Sequence, residues 1–386
     1  YHKEAYFVTM YFDSHFHPSF KSFLSDTDPA RRHDCWRTYR NFIDFVFGGI
    51  VDSQASLLQI DRSETHLGVA VIYAMEDGLD EIGLIRNLAP IVSHVDKDMV
   101  RNLHPTRYWE RMLEEIRHLE GSLAARDGAR PFRLVSSREE ISGDHNNLVL
   151  AIEGAHVLDG AGEDPLDRLN ELKNFRHRIL YLTLCHFAQN PLCTQAYAMK
   201  LVKPTKVPTF LPAGTGLTER GKSVIRSCYD TTTGQRILID IKHMSLSGRR
   251  QFYAWKRADP ELRDVPILAS HAGVTGLSWA YDQRKAYWDE EQFLPSLGQW
   301  AIDYRKPAGL SLGRLESSFN PSTINLFDED IREIIASGGL IGLMLDQRQL
   351  GVNKKPFEYF AANDHAALSE EPEAHHRTES LLTAKP

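Results

Sequence analysis

Four short apolar runs, each followed closely by a histidine or a glutamate, most constrain how this chain can fold. Tyr6-Phe-Val-Thr-Met-Tyr-Phe leads to His15-Phe-His17, and Leu148-Val-Leu-Ala-Ile leads to Glu153. Ile237-Leu-Ile-Asp-Ile leads to His243, and Pro266-Ile-Leu-Ala-Ser to His271. Apolar runs of this length, rich in branched residues, read as buried strands of a parallel sheet. Ligand-type side chains at the C-terminal ends of several such strands are what a (β/α)8 TIM barrel offers an active site.

The chain has 386 residues, and barrels of this class take such a length as one domain. The formal charge is −7 and no basic stripe is present, which argues against nucleic acid as a partner. No apolar stretch approaches the roughly 20 residues of a membrane-spanning helix. Cys35, Cys185, Cys193 and Cys228 form no CxxC pair, so neither a disulfide framework nor a cysteine-rich zinc site is expected. The chain reads as soluble. Because Tyr1 is not a methionine, a removed leader is allowed for, and cytoplasmic and periplasmic locations both stay open.

Seven barrel strands are expected, at about 6–13, 67–75, 148–153, 179–186, 236–242, 266–270 and 339–345, with 132–136 an optional extra. Helical patterning is expected over 31–56, 78–96, 106–126, 165–178, from Leu217 onward with Thr218 as N-cap, near 246–257 and over 328–337. Residues 276–322 form an aromatic-bearing insertion into a barrel domain spanning 1–350. Residues 351–386 read as a polar C-terminal segment with no core strand, and the eighth barrel strand is missing.

Histidines at i and i+2 on an extended segment point to the same side, so His15 and His17 can grip one ion. Glu153 can bridge two ions, and His243 and His271 would complete the second shell. Two metals polarise a carbonyl and activate water at neutral pH. Imidazoles with a carboxylate suit zinc, with manganese or iron as alternatives. Taken singly, His243 and His271 read more readily as structural residues, and an HxH pair can arise by chance among 17 histidines. Glu153 is different, because an unpaired carboxylate at the end of a very apolar strand is costly.

His186 closes ILYLTLCH and is a candidate donor to an oxyanion. His156 reads as orienting a ligand or as simply exposed, and Asp13 as supporting a histidine or as a strand-end cap. His375 and His376 read as solvated, and Trp279, Tyr281 and Tyr287 as one wall of a substrate pocket or as packing.

From about residue 7 to residue 345 the motifs resemble the membrane (renal) dipeptidase-like metallopeptidases, family M19, among the amidohydrolase-like TIM barrels. Gly216-Leu217-Thr218 with Gly221-Lys222, then Ile237-Leu-Ile-Asp240-Ile-Lys-His243-Met-Ser245, resemble the family's GLT-x-x-G helix and VDLSH strand. Ile152-Glu153-Gly154-Ala155-His156 is similar to its EGGH, and Tyr181-Leu-Thr-Leu-Cys-His186 to its YLTLTH. Pro266-Ile-Leu-Ala-Ser270-His271 resembles its strand ending in SH, and Asn325 with Asp328 its N-x-x-D helix start.

The resemblance implies two zinc ions bridged by Glu153, one held by His15 and His17, the other by His243 and His271. It also implies His186 facing the substrate carbonyl, dipeptide hydrolysis and a homodimer. Three departures stand against a strict transfer. His17 replaces the family's aspartate, and the stretch after His271 lacks the family's arginine for the substrate carboxylate. The aspartate of the family's last barrel strand has no counterpart, with Asp346 the nearest substitute. The expected function is therefore zinc-dependent hydrolysis of a small peptide or amide. The rivals are hydrolysis of a lactone, cyclic amide or phosphoester, and a non-catalytic metal-binding barrel.

Overall fold

The computed structural model describes residues 11–40, 52–53, 55–63, 65–82, 94–101, 103–124, 126, 128–159, 164–198, 207–279, 288–304, 319–345 and 357–369. Its main sheet contains β1 (Tyr11–Phe16), β2 (Thr65–Ile72), β3 (Phe132–Leu134), β4 (Asn146–Glu153), β5 (Ile179–Thr183), β6 (Leu238–Asp240), β7 (Leu268–Ala272) and β10 (Leu340–Leu343). The path runs β1-β2-β4-β5-β6-β7-β10, and every pairing along it is parallel. These are the seven expected barrel strands. The optional eighth, β3, lies against the first half of β4 (Phe132 opposite Asn146), while β5 takes the second half (Glu153 opposite Thr183). It therefore shares an edge with β5 instead of closing the barrel.

The two ends of the path curl towards each other. Ser14 Oγ on β1 donates to the Ser270 carbonyl on β7 at 2.7 Å. Gly342 on β10 lies so close to Ser14 Oγ and Ser270 O that a Cβ there would collide with both. The sheet is thus a nearly closed barrel of the (β/α)8 kind.

Alternation along the strands decides which face each residue takes. Val69 and Val71 of β2 point inward, where they pack with Ala151, Tyr181 and Leu268. Ala70 and Ile72 point outward with Leu150 and Ile152, against Met112, Ile116, Leu169, Val224 and Phe252. Those last residues come from helices α4 (Tyr108–Glu120), α5 (Pro165–Lys173), α6 (Glu219–Tyr229) and α7 (Leu246–Ala258). The shorter helices α1 (Phe20–Phe23), α2 (Leu57–Arg62) and α3 (Lys97–Arg101) precede them, and α8 (Asp328–Ala336) precedes β10. Thr218 caps α6 as expected, its side chain accepting from Gly221 N at 3.0 Å. None of the described helices is long and apolar enough to cross a membrane.

Two expectations are corrected. Residues 31–40 are not helical, and α2 begins only at Leu57. The Asp34 side chain instead accepts from the backbone amide of Trp36 (3.0 Å), a turn that competes with a helix, and Ser53 Oγ accepts from Tyr39 N (2.9 Å) across the segment. The segment after 351 contributes more than a polar tail. Its β11 (Phe357–Ala361) pairs antiparallel with β9 (Gln299–Tyr304), which pairs with β8 (Trp288–Leu294) from the insertion. Helix α9 (Ala362–Ser369) follows β11.

This small sheet rests on loops at the C-terminal end of the barrel. Tyr359 packs with Leu79, Ile82 and Phe210, and Trp288, Ile302 and Phe360 pack with Leu246, Leu277 and Phe327.

Candidate metal centre

Every strand that carries an expected ligand delivers it to one place. His15 lies within β1, His271 within β7, and Glu153 is the last residue of β4. His186 and His243 sit three residues beyond β5 and β6. The five Nε2 atoms of His15, His17, His186, His243 and His271 lie 3.5, 3.2, 3.6, 3.5 and 3.6 Å from a Glu153 carboxylate oxygen. His15 and His17, on one side of the extended segment, bring their Nε2 atoms within 3.2 Å of each other.

The outer faces of these rings explain what the inner faces present. Tyr181 OH donates to Ser14 O at 3.0 Å, so at 2.9 Å it accepts a hydrogen bond from His15 Nδ1. His17 Nδ1 donates to the Val71 carbonyl at 3.2 Å. Ser270 Oγ donates to Asp240 Oδ2 at 2.6 Å and therefore accepts from His271 Nδ1 at 2.8 Å. With the proton on Nδ1, a neutral imidazole has its lone pair on Nε2. The inner faces thus offer lone pairs around a carboxylate.

Two local features hold this arrangement. His243 has φ 68°, a left-handed backbone that costs a non-glycine residue about 1–3 kcal/mol. Its carbonyl is pinned by Ala196 N at 2.7 Å. Gly154, at φ 94°, leaves room for the His156 ring where a Cβ would collide with it.

Electrostatics favour the ionised carboxylate of Glu153 and the neutral forms of His243 and His271. Burial would raise the Glu153 carboxyl, but the imidazoles of His186 and His15 hold it well below the ordinary range. Burial, with His186 beside it, pushes His243 down to about 3. Burial and His15 likewise hold His271 well below its usual value. For His186, burial opposes the charge, yet the carboxylates of Glu153 and Glu76 outweigh it and raise the group.

A cation fits this donor set. Both ring nitrogens of His243 are buried with no hydrogen-bond partner, a costly state for a group with an empty role. Ligand atoms of His15, His17 and Glu153 lie within 4.8 Å of one another, as do those of Glu153, His186 and His243, and those of His15, Asp240 and His271. Imidazole nitrogens with one carboxylate match zinc chemistry.

Sequence reasoning missed two carboxylates here. Asp240 is buried and accepts from Ser270 Oγ, Ser270 N (3.0 Å), Thr183 Oγ1 (3.0 Å) and Lys242 N (3.1 Å), tying β5, β6 and β7 together. Glu76, beyond β2, accepts from His186 Nδ1 and Phe187 N, each at 2.9 Å, and from Tyr73 OH. A polar residue inside the run ILIDI, and one just after AVIYAM, are the signals that mark them.

Other expectations resolve differently. His156 is buried, with Nε2 donating to Ala74 O at 2.8 Å, and Asp13 accepts from the His15 backbone amide at 3.0 Å, not from a ring. Trp279 stacks on Tyr253 with ring centroids 6.1 Å apart, which is packing. Tyr281, Tyr287, Asp346, His375 and His376 lie outside the described residues.

No protein-family model matches the sequence, and no curated protein matches it. Solved structures similar to it include a metallopeptidase from Rhodobacter sphaeroides liganded with a phosphinate mimic of the dipeptide L-Ala-D-Ala. That pair shares 16% identity at a TM-score of 0.49, over 86% of this chain and 73% of that one. The probable dipeptidase PvdM from Pseudomonas aeruginosa shares 16% identity at a TM-score of 0.45, over 77% of this chain and 56% of that one. Dipeptidase AC, a metallopeptidase of family M19, shares 17% identity at a TM-score of 0.48, over 86% of this chain and 72% of that one.

Proposed function

We propose that this protein is a metal-dependent hydrolase of a small peptide or amide, with two zinc ions held around Glu153. The observation that carries the reading is the convergence of five imidazole Nε2 atoms, 3.2–3.6 Å away, on one buried carboxylate. Three of those imidazoles have their protons directed outward by their neighbours. The motif resemblance to M19 dipeptidases points the same way.

In this reading His15 and His17 hold one ion, His243 and His271 the other, and Glu153 bridges. Bound divalent ions supply Lewis acidity towards a carbonyl and activate water. The chain's own part is to keep the donors neutral and fixed. Tyr181, Val71 O and Ser270 hold the rings, and Asp240 anchors Ser270.

The His15–His17 pair on β1, in place of the family's His-x-Asp, favours one second reading, hydrolysis of a lactone, cyclic amide or phosphoester by the same centre.

The test is elemental analysis of protein purified without added metal or chelator, followed by a hydrolysis screen over dipeptides, lactones and phosphoesters. The expected result is about two equivalents of zinc, the number a two-metal site requires, with turnover of dipeptides. Less than about half an equivalent after reconstitution, against that requirement of two, would overturn the reading. Turnover of lactones or phosphoesters alone would select the second.

A further inference from the structure

The family resemblance casts His186 as a hydrogen-bond donor to the substrate, a role that needs a proton on Nε2. The geometry around this ring points elsewhere. We propose that Glu76 is a positioning residue that locks His186 in its Nδ1–H form, so that Nε2 joins Glu153 and His243 as a ligand of the second ion. The proposal rests on the metal-centre reading above.

The Glu76 carboxylate is fixed from three sides. Phe187 N donates to Oε1 at 2.9 Å, and Tyr73 OH donates to Oε2. His186 Nδ1 stands 2.9 Å from Oε1, and a carboxylate held in this way accepts, so the proton is on Nδ1. The ring is clasped between Phe187, with centroids 3.7 Å apart, and Tyr73, edge-on at 4.7 Å.

On the inner side, Nε2 is 3.6 Å from Glu153 Oε1, beyond hydrogen-bond range. That separation matches those of His243 (3.5 Å) and His271 (3.6 Å). The ligand atoms of Glu153, His186 and His243 also form one of the clusters within 4.8 Å. His186 is therefore placed as the other ligands are, with one difference. The rings of His15, His17 and His271 lean on neutral oxygens, whereas His186 leans on a carboxylate, which makes it the strongest electron donor of the set.

The test uses full-length protein labelled with 15N-histidine, with His186→Gln to assign the His186 signals. In zinc-loaded wild type we expect a proton on His186 Nδ1 and a metal-shifted Nε2 without one. Chelator competition should show Glu76→Ala weakening the more loosely held zinc by roughly 10–100-fold, the usual cost of losing such a partner. Glu76→Gln keeps an oxygen that can accept from Nδ1 and should recover most of that affinity.

A proton on Nε2 of His186 in the zinc-loaded protein would overturn the proposal while leaving the metal centre intact. So would wild-type zinc affinity in both Glu76 variants. If wild type takes up no zinc, the metal-centre reading itself falls, and this proposal with it. Should Glu76→Ala fail to fold, the wild-type spectrum decides alone.

Discussion

Strand β4 of the barrel and strand β8 of the small sheet are buried in opposite ways. Seven of eight residues in β4 are buried, against one of seven in β8, where Asp289, Glu290, Gln292 and Phe293 face solvent. A barrel strand is covered on both faces, by side chains inside and helices outside, so β4 carries the continuous apolar run Leu148–Ile152. A polar group there carries a cost, and its presence asks for a partner. In β8 the neighbours Asp289 and Glu290, and again Gln292 and Phe293, reach solvent, and exposed polar residues cost little. A carboxylate in β4 is therefore informative about function, and one in β8 is not.

The largest expected effect breaks the barrel side of this contrast. Glu153→Gln removes the charge that five imidazoles surround. Zinc should fall from about two equivalents to near zero, with hydrolysis lost beyond the roughly 10–100-fold that a supporting partner costs. A variant that kept both zinc and turnover would refute Glu153 as the bridge. The Glu76 variants come next, confined to one ion.

The small sheet offers the complementary experiment. Phe360 is almost fully buried, stacked on Trp288 with centroids 6.1 Å apart and packed with Leu246 and Phe327. Phe360→Ala should destabilise by about 3–5 kcal/mol in urea titrations, with the zinc content unchanged. Loss of zinc in a folded Phe360→Ala protein would show that the two regions are not separable.

The same contrast explains what was legible in the sequence. The apolar runs marked all seven barrel strands, and the residues at their ends marked His15, His17, Glu153, His186, His243 and His271, which the fold brings together. Glu76 obeys the same rule, after AVIYAM, but follows a strand with no family motif attached to it. Strands β8, β9 and β11 could not be read, because strands buried on one face by distant loops carry no continuous apolar run. Residues 31–40 carried helical spacing, yet the Asp34 side chain turned the backbone another way. Which nitrogen of each imidazole holds its proton depends on partners as remote as Tyr181 and Val71, and no local pattern encodes it.

The smallest effects sharpen the barrel side further, through the buried Glu115 and the half-buried His118 of α4, whose pH dependences oppose each other. Burial, aided by Arg32, pushes His118 down to about 4. In the unfolded chain a histidine titrates near 6.5. Its folded value is the lower one, so its contribution is complete above about 6.5 and is lost as pH falls towards about 4. Glu115, accepting from Ser19 Oγ at 2.8 Å, is pushed up by burial to about 7 from the ordinary value of 4.5. Its folded value is the higher one, so its contribution is complete below 4.5 and is lost as pH rises through about 7. Urea titrations of metal-free wild type, His118→Gln and Glu115→Gln should therefore diverge with opposite slopes. Relative to His118→Gln, wild type should lose stability as pH falls from about 6.5 to about 4, and relative to Glu115→Gln it should lose stability as pH rises from about 4.5 to about 7. Each slope should be at most about 1.4 kcal/mol per pH unit, the limit for one proton. Slopes of the same sign would mean that the helix behind β2 does not hold these two groups in the packing described.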